Sequence, residues 1–266
     1  MTPDQIQAAA QMLFEAEASR VQCGLLSVAY PEMDLDDAYA VQAALVDLKL
    51  KTGVEIIGWK IGLTSRAMQQ ALNITTPDSG VLFGDMLFPS AGLVPKGRFI
   101  QPRIEAEIAF VMKSDLKGAD VTRNDVIGAT DYVCPSLEIL DARILRADPE
   151  SRTARIITDT VSDNAANAGI VLGEHQHAID AFDLRWVGAI VRRDDVVEET
   201  GLGAGVLDDP VKGILWLVHR LAQYDQGIRA GDIVLSGSFI RPLEAPSGSR
   251  FEADFGAFGA VAIDFE

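Results

Sequence analysis

A chain of 266 residues, 48% hydrophobic and 23% charged, is long enough to bury a sizeable core and has no segment biased enough to be called disordered. Its 39 acidic against 23 basic side chains give a formal net charge of -16 with no Lys/Arg stripe, which argues against a nucleic-acid partner. No apolar run approaches the ~20 residues of a membrane helix, MTPDQIQAAAQMLFEAEASR is no basic-then-apolar leader, and Cys23 and Cys134 form no CxxC, so a soluble cytoplasmic protein with free thiols is expected.

The N-terminal part reads as helix. PDQIQAAAQMLFEAEASR carries apolar residues at helical intervals, and MDLDDAYAVQAALVDLKLKTG has an acidic opening, a periodic middle and a glycine stop. We expect an N-terminal helical region over residues 1–75. From VEIIGWKIGL onward the pattern changes to short β-branched runs between Gly, Pro and Asp: IEAEIAFVM, YVCPSLEIL, AGIVLG, LRWVGAIVRR, DIVLSGSF and FGAVAIDF. One further helix is predicted in DDPVKGILWLVHRLAQYDQG, with Asp and Pro at its start and Gly at its end. The class is α+β, with a mixed β catalytic domain over 76–266 that forms one functional unit with the helical region.

Several stretches carry candidate chemistry. In GWKIGLTS, Lys60 stands between glycines in an apolar run, as a tuned ammonium or as a snorkelling surface lysine. Asp78 in TTPDSGVLFGDM is either a functional carboxylate or part of a plain turn. In QPRIEAEIAFVM, strand alternation puts Glu105, Glu107 and Ala109 on one face and Ile104, Ala106, Ile108 and Phe110 on the other. Like charges that close oppose folding unless a cation or donors compensate them. CPSLEILDAR supplies a third acid, Glu138, between Leu137 and Ile139. If these strands are neighbours, three carboxylates converge into an oxygen-only site suited to Mg2+ or Mn2+ rather than Zn2+. The competing reading of the E-x-E pair is an edge strand that uses charge against aggregation. His175 and His177 in GEHQHAID read as solvated imidazoles of a polar loop. Asn164 and Asn167 in TDTVSDNAANAG either donate to a ligand or satisfy a tight loop.

Taken in order and spacing, GWKIGLTS, QPRIEAEIAFVM, ATDYVCPSLEILDAR, TVSDNAANAGIVLG and DIVLSGSF resemble the hydratase and decarboxylase group of the fumarylacetoacetate hydrolase superfamily over essentially the whole chain. The resemblance implies a mixed β-sandwich or roll with N-terminal helices, and a divalent metal, Mg2+ or Mn2+. It maps the ligands onto Glu105, Glu107 and Glu138 and an active-site lysine onto Lys60. It also implies a small 2-oxo or 2-hydroxydienoate substrate from aromatic meta-cleavage, and a homo-oligomer. Asp78 stands where hydratases of the group carry Asp, so hydration is expected over decarboxylation of 4-oxalocrotonate. The ADPESRTAR segment and GSFIRP resemble enzymes acting on the seven-carbon diacid 2-oxohept-4-ene-1,7-dioate more than those acting on 2-hydroxypenta-2,4-dienoate. A diacid needs a cation for its distal carboxylate, for which Arg143 and Arg241 are candidates; Asn164 and Ser238 complete the expected substrate contacts. A non-catalytic acidic metal-binding scaffold is the reading from another class, and it leaves Lys60 and Asp78 without purpose.

Overall fold

Local signals account for the helices of the N-terminal region. The computed structural model describes residues 1–71 and 74–266. Helix α1 (Pro3–Ser19) starts with a capping box in which Thr2 and Gln5 exchange side-chain and backbone bonds, with Pro at the first position. After the single turn α2 (Leu26–Ala29), α3 (Leu35–Leu50) opens with the same device between Asp34 and Asp37. Leu13, Leu26, Val41 and Leu45 of these helices bury together with Ile144 and Val161. The later helices are α4 (Arg66–Ala71), α5 (Arg123–Ala129), α6 (Ile157–Ser162) and α7 (Pro210–Ala222). Asp209 caps the last of these through the Val211 amide.

The strands build two mixed sheets. In the larger, β1 (Ile56–Gly62), β2 (Asp78–Phe83), β3 (Leu87–Phe88), β5 (Arg103–Met112), β6 (Thr130–Leu140), β7 (Asn167–Leu172) and β10 (Ile233–Leu235) lie in the order β2-β1-β10-β5-β6-β7-β3, and β11 (Leu243–Glu244) also pairs with β5. The smaller sheet has the order β4-β13-β12-β8-β9, from β4 (Gly92–Val94), β8 (Gly188–Arg193), β9 (Val196–Leu202), β12 (Arg250–Asp254) and β13 (Ala260–Phe265). Between the sheets, Ile104, Ala106, Ile108 and Phe110 of β5 meet Val191, Phe251 and Ile263 of the smaller sheet and Ile214 and Leu217 of α7 in one core. The result is an α+β fold with a β-sandwich and an N-terminal helical region. Strand β1 falls within the 1–75 region expected to be helical, yet it pairs with β2 and β10 inside the main sheet. The N-terminal run of helices ends at Leu50, and the short α4 follows β1.

The other face of the larger sheet is the one that matters for chemistry. It carries Glu105, Glu107 and Ala109, and the 164–166 turn lies over its β2 end, with α6 and α3 packed at that edge. Gln42 of α3 fastens this cover, donating at 2.9 Å to both Ser79 O of β2 and Val161 O of α6. Among the described residues, no helix is long and apolar enough to cross a membrane.

Candidate active site

Register brings the acids together. Strands β5 and β6 run antiparallel with Glu105 directly opposite Glu138 and Glu107 opposite Ser136, so the alternation that puts Ile104 and Ile108 into the core turns three carboxylates the other way. One oxygen from each of Glu105, Glu107 and Glu138 lies within 4.8 Å of the others. Glu107 and Glu138 are completely buried, while Glu105, though densely surrounded, keeps some exposure at the rim. Lys60 reaches the cluster from β1, two strands away across β10, where Lys60 pairs with Leu235 and Leu235 with Ala109. Its Nζ lies 3.2 Å from Glu138 Oε1 and donates to Ala165 O at 3.0 Å.

Asp78 opens β2 opposite Gly62, on the same face as Lys60. A methyl group at Gly62 would sit 2.2 Å from Asp78 Oδ1 and 3.2 Å from Lys60 Nζ, so glycine there makes room for both charges. The site thus gathers four carboxylates around one ammonium. Burial pushes the Asp78 carboxyl above its ordinary value, and Lys60 and the Gly62 and Asp78 amides offset part of that rise. Burial first, and then the Glu138 charge, raise Glu105 to about 8 and hold Glu107 well above the carboxylate range. Glu138 is raised by burial against the pull of Lys60. At Lys60 burial works the other way, but Glu138, Asp78, Glu105 and Glu107 outweigh it and keep the ammonium charged.

The covering turn is strained. Asn164, Ala165 and Ala166 have φ of 50°, 52° and 58°, a left-handed conformation that costs an L-residue about 1–2 kcal/mol. It aims the Ala165 carbonyl at Lys60. Asn164 is locked against β2, its Oδ1 accepting from Val81 N at 2.7 Å and its Nδ2 donating to Val81 O at 2.9 Å. The approach is close enough that a methyl at Gly80 would lie 2.6 Å from Asn164 O.

The structure gives each member of the substrate-binding set read from the sequence a partner inside the protein. Arg143 is buried, with its three guanidinium nitrogens bonded to Asp163 Oδ1, Asp163 O and Asn167 O, so it braces the turn. The Asn164 amide is spent on Val81. Ser238 Oγ donates to Ile240 O at 2.8 Å within its own loop, and the neighbouring Gly237 amide donates to Glu107 Oε2 at 2.7 Å. Arg241 is 60% exposed and pairs with Glu199 at 2.7 Å. Asp78, read as either a functional carboxylate or a turn residue, begins a strand. His177 is half-buried, its ring stacked on Phe258 and bonded to Phe258 O, whereas His175 is exposed. The sequence reading missed the Gly237 amide and the Ala165 carbonyl, which are backbone groups with no side-chain signature. It also missed Arg103, on the same face as Glu105 and offsetting part of the rise at Glu105.

The buried acceptors are incompletely satisfied. Glu107 Oε1, Glu138 Oε2 and Asp78 Oδ1 have no hydrogen-bond partner among the described residues, and Glu138 Oε1 has only the Lys60 ammonium at 3.2 Å. Buried carboxylate oxygens without donors are costly unless a cation accepts them. Glu107 and Glu138, with Glu105 beside them and no His or Cys, fit a hard divalent ion. A 710 Å³ cavity lies on the opposite face of β1 and β2, lined by Tyr39, Trp59, Val81 and Arg220, and none of the cluster carboxylates lines it. The donor set, not the size of a cavity, locates the chemistry.

Comparison with known proteins agrees with this arrangement. No family model matches the chain. It is 48% identical over 256 residues to 2-oxo-hept-4-ene-1,7-dioate hydratase of Escherichia coli, covering 96% of each chain. It is 37% identical over 266 residues to 2-keto-4-pentenoate hydratase of Paraburkholderia xenovorans (strain LB400), covering 100% of this chain and 97% of the other. Among solved structures, 4-oxalocrotonate decarboxylase from Pseudomonas putida G7, complexed with magnesium and adipate, superposes with a TM-score of 0.94 at 31% identity, covering 100% and 99% of the two chains. Fumarylpyruvate hydrolase from Pseudomonas aeruginosa, at TM-score 0.58 and 13% identity over 78% of this chain and 92% of that one, shares the fold.

Proposed function

The chain belongs to the hydratase and decarboxylase group of the fumarylacetoacetate hydrolase superfamily, and from that premise we propose that it adds water to 2-oxohept-4-ene-1,7-dioate, in its dienol form 2-hydroxyhepta-2,4-diene-1,7-dioate, giving 4-hydroxy-2-oxoheptane-1,7-dioate. The observation that carries the reading is the buried set of Glu105, Glu107, Glu138, Lys60 and Asp78 in a chain 48% identical to a hydratase of that name. The similar decarboxylase solved with magnesium and adipate supports a metal-loaded site that accepts a diacid.

Glu105, Glu107 and Glu138 would hold the ion, Mg2+ or Mn2+, which when bound supplies Lewis-acid stabilisation of negative charge at the substrate's C1 carboxylate and C2 oxygen. The Gly237 amide fixes Glu107 in place. Lys60, held by Glu138 and the Ala165 carbonyl, adds a fixed positive charge where the enolate develops. Asp78 moves the protons, since burial lifts its pKa toward the range in which a carboxyl can both give and take one. It gives a proton to C5, which leaves a double bond between C3 and C4 conjugated to the C2 carbonyl. The proton released from the 2-hydroxyl restores Asp78. Asp78 returns a proton to C3 as it takes one from the water that adds at C4, so the net change is one water gained.

We place the enzyme in the cytoplasm, which the free thiols of Cys23 and Cys134 support. We also propose a homo-oligomer, from the family resemblance, to be checked by light scattering. The functional reading is tested by following the ultraviolet loss of dienol with Mg2+-loaded protein on the seven-carbon diacid and on 2-hydroxypenta-2,4-dienoate, with CO2 release from 4-oxalocrotonate measured in parallel. A higher kcat/KM for the diacid without CO2 supports it. Preference for the five-carbon acid moves the substrate, and CO2 release would assign the chain to the decarboxylases.

A further inference from the structure

The carboxylate face of β5 does not end at Glu105. Arg103 stands two residues earlier on that face, ~6.8 Å along the strand, 30% exposed, with Glu244 Oε1 at 4.0 Å. Arg103 also lines a 490 Å³ pocket to which Lys96, Arg98, Arg146 and Arg193 add positive charge against two glutamates. In a chain of net charge -16 this is a local reversal of sign. Arg98 already faces Asp85, and Arg193 faces Glu198. Arg146 has no hydrogen-bond or ion-pair partner for its guanidinium among the described residues.

Arg146 stands at the base of a hairpin, where Arg155 N donates to its carbonyl at 2.9 Å and Ala147 bridges Ala154. Arg155, on the other leg, spends one guanidinium nitrogen on Ile144 O. Burial, aided by the positive charges of Arg103 and Arg146 and opposed by Asp163 and Asp159, holds the Arg155 pKa down. Arg103 and Arg146 thus line one pocket, Arg155 lies within the field of both, and Arg103 connects the pocket to the strand face that carries Glu105. Like charges gathered this way create a site for an anion, and planar guanidinium groups match a carboxylate.

We propose that Arg103 and Arg146, with Arg155 behind them, hold the distal carboxylate of the substrate and so set the preference for a seven-carbon diacid. This rests on the reading of the site as a dienoate hydratase. A substrate anchored at C1 and C2 beside Glu105 and extended toward Arg103 has five bonds from C2 to C7 with which to cover a two-residue step of strand. Arg143 and Arg241 leave the role open, since each is already paired inside the protein. The hairpin that carries Arg146 and Arg155 is the segment ADPESRTAR with its flanking residues, so those two charges come from an element separate from β5, which supplies Arg103.

The test compares kcat/KM for 2-hydroxyhepta-2,4-diene-1,7-dioate and 2-hydroxypenta-2,4-dienoate in the wild type, R103Q and R146A, each loaded with Mg2+. R146A is included because Arg146 is exposed and unpaired, so its loss leaves no buried partner behind. In both variants the ratio of diacid to monoacid kcat/KM is expected to fall about tenfold, through KM for the diacid. A wild type that prefers the diacid, with both variants keeping the ratio within about twofold, overturns the clamp and leaves the hydratase reading standing. Equal losses on the two substrates likewise overturn it. A wild type that turns over the five-carbon acid and not the diacid overturns the clamp and the diacid assignment together.

Discussion

The role proposed for Asp78 follows from where its carboxylate stands, buried against Gly62 with Oδ1 unbonded and within the field of Lys60. Asp78→Asn keeps the shape and removes the proton, so hydration is expected to fall about 10²–10⁴-fold while calorimetric Mg2+ binding persists; full activity in that variant would remove Asp78 from the mechanism. The glutamates make a different prediction. With Glu105 raised to about 8 and Glu107 and Glu138 raised beside it, the metal-free cluster holds protons that a divalent ion must displace. Apparent Mg2+ affinity should therefore climb from pH 6 to pH 8.5 with proton release on binding, and a pH-independent affinity would contradict the burial argument. The linkage has the same sign for stability. A carboxyl whose folded pKa lies above its unfolded value contributes stability that is present at low pH and lost as pH rises through the folded value, here between about pH 4.5 and about pH 8 for Glu105. The metal-free protein should show a falling Tm over that window, and Mg2+ should reverse the fall.

At the scale of elements, the site depends on strands β1, β2, β5 and β6 and one strained turn. Arg143 and Asp163 pin that turn through a fully buried pair at 2.5 Å, with burial raising Asp163 to about 6 despite its partner. Arg143→Ala removes the cation and leaves the acid behind, which is expected to cost about 3–5 kcal/mol in urea unfolding; a loss below about 1 kcal/mol would mean that the pair does not brace the turn. Which elements could be read from the sequence follows from their surroundings. Strands β5 and β6 each bury apolar side chains on one face and carboxylates on the other, so alternation in IEAEI and the Leu137 and Ile139 flanks of Glu138 disclosed both the strands and the acids. Strand β2 is buried throughout, and its DSGVLF has no alternation to read. The turn at Asn164–Ala166 uses alanines at positive φ, which sequence preference assigns to helix. The sequence shows the charges of Arg143 and Arg241 without the partners, Asp163 and Glu199, that the structure gives them. Arg103 was overlooked although it obeys the same two-residue rule as Glu105 and Glu107.

Across the whole molecule, the sandwich supplies rigidity and the N-terminal helices supply cover. The core between the sheets fixes β5 and β6, while α3 reaches over β2 and α6 through Gln42. Metal removal should therefore silence the enzyme without unfolding it. After chelation, circular dichroism at pH 6 is expected to be unchanged while dienol turnover is lost and then restored by Mg2+. Turnover that survives chelation would detach the carboxylate cluster from the reaction. The most direct measurement of the central claim is 13C NMR of the product formed from 2-hydroxyhepta-2,4-diene-1,7-dioate in H2 18O by the Mg2+-loaded protein. The account predicts a carbinol carbon at C4 with the 18O isotope shift and no CO2; a decarboxylated product, or a C4 without solvent oxygen, would contradict it.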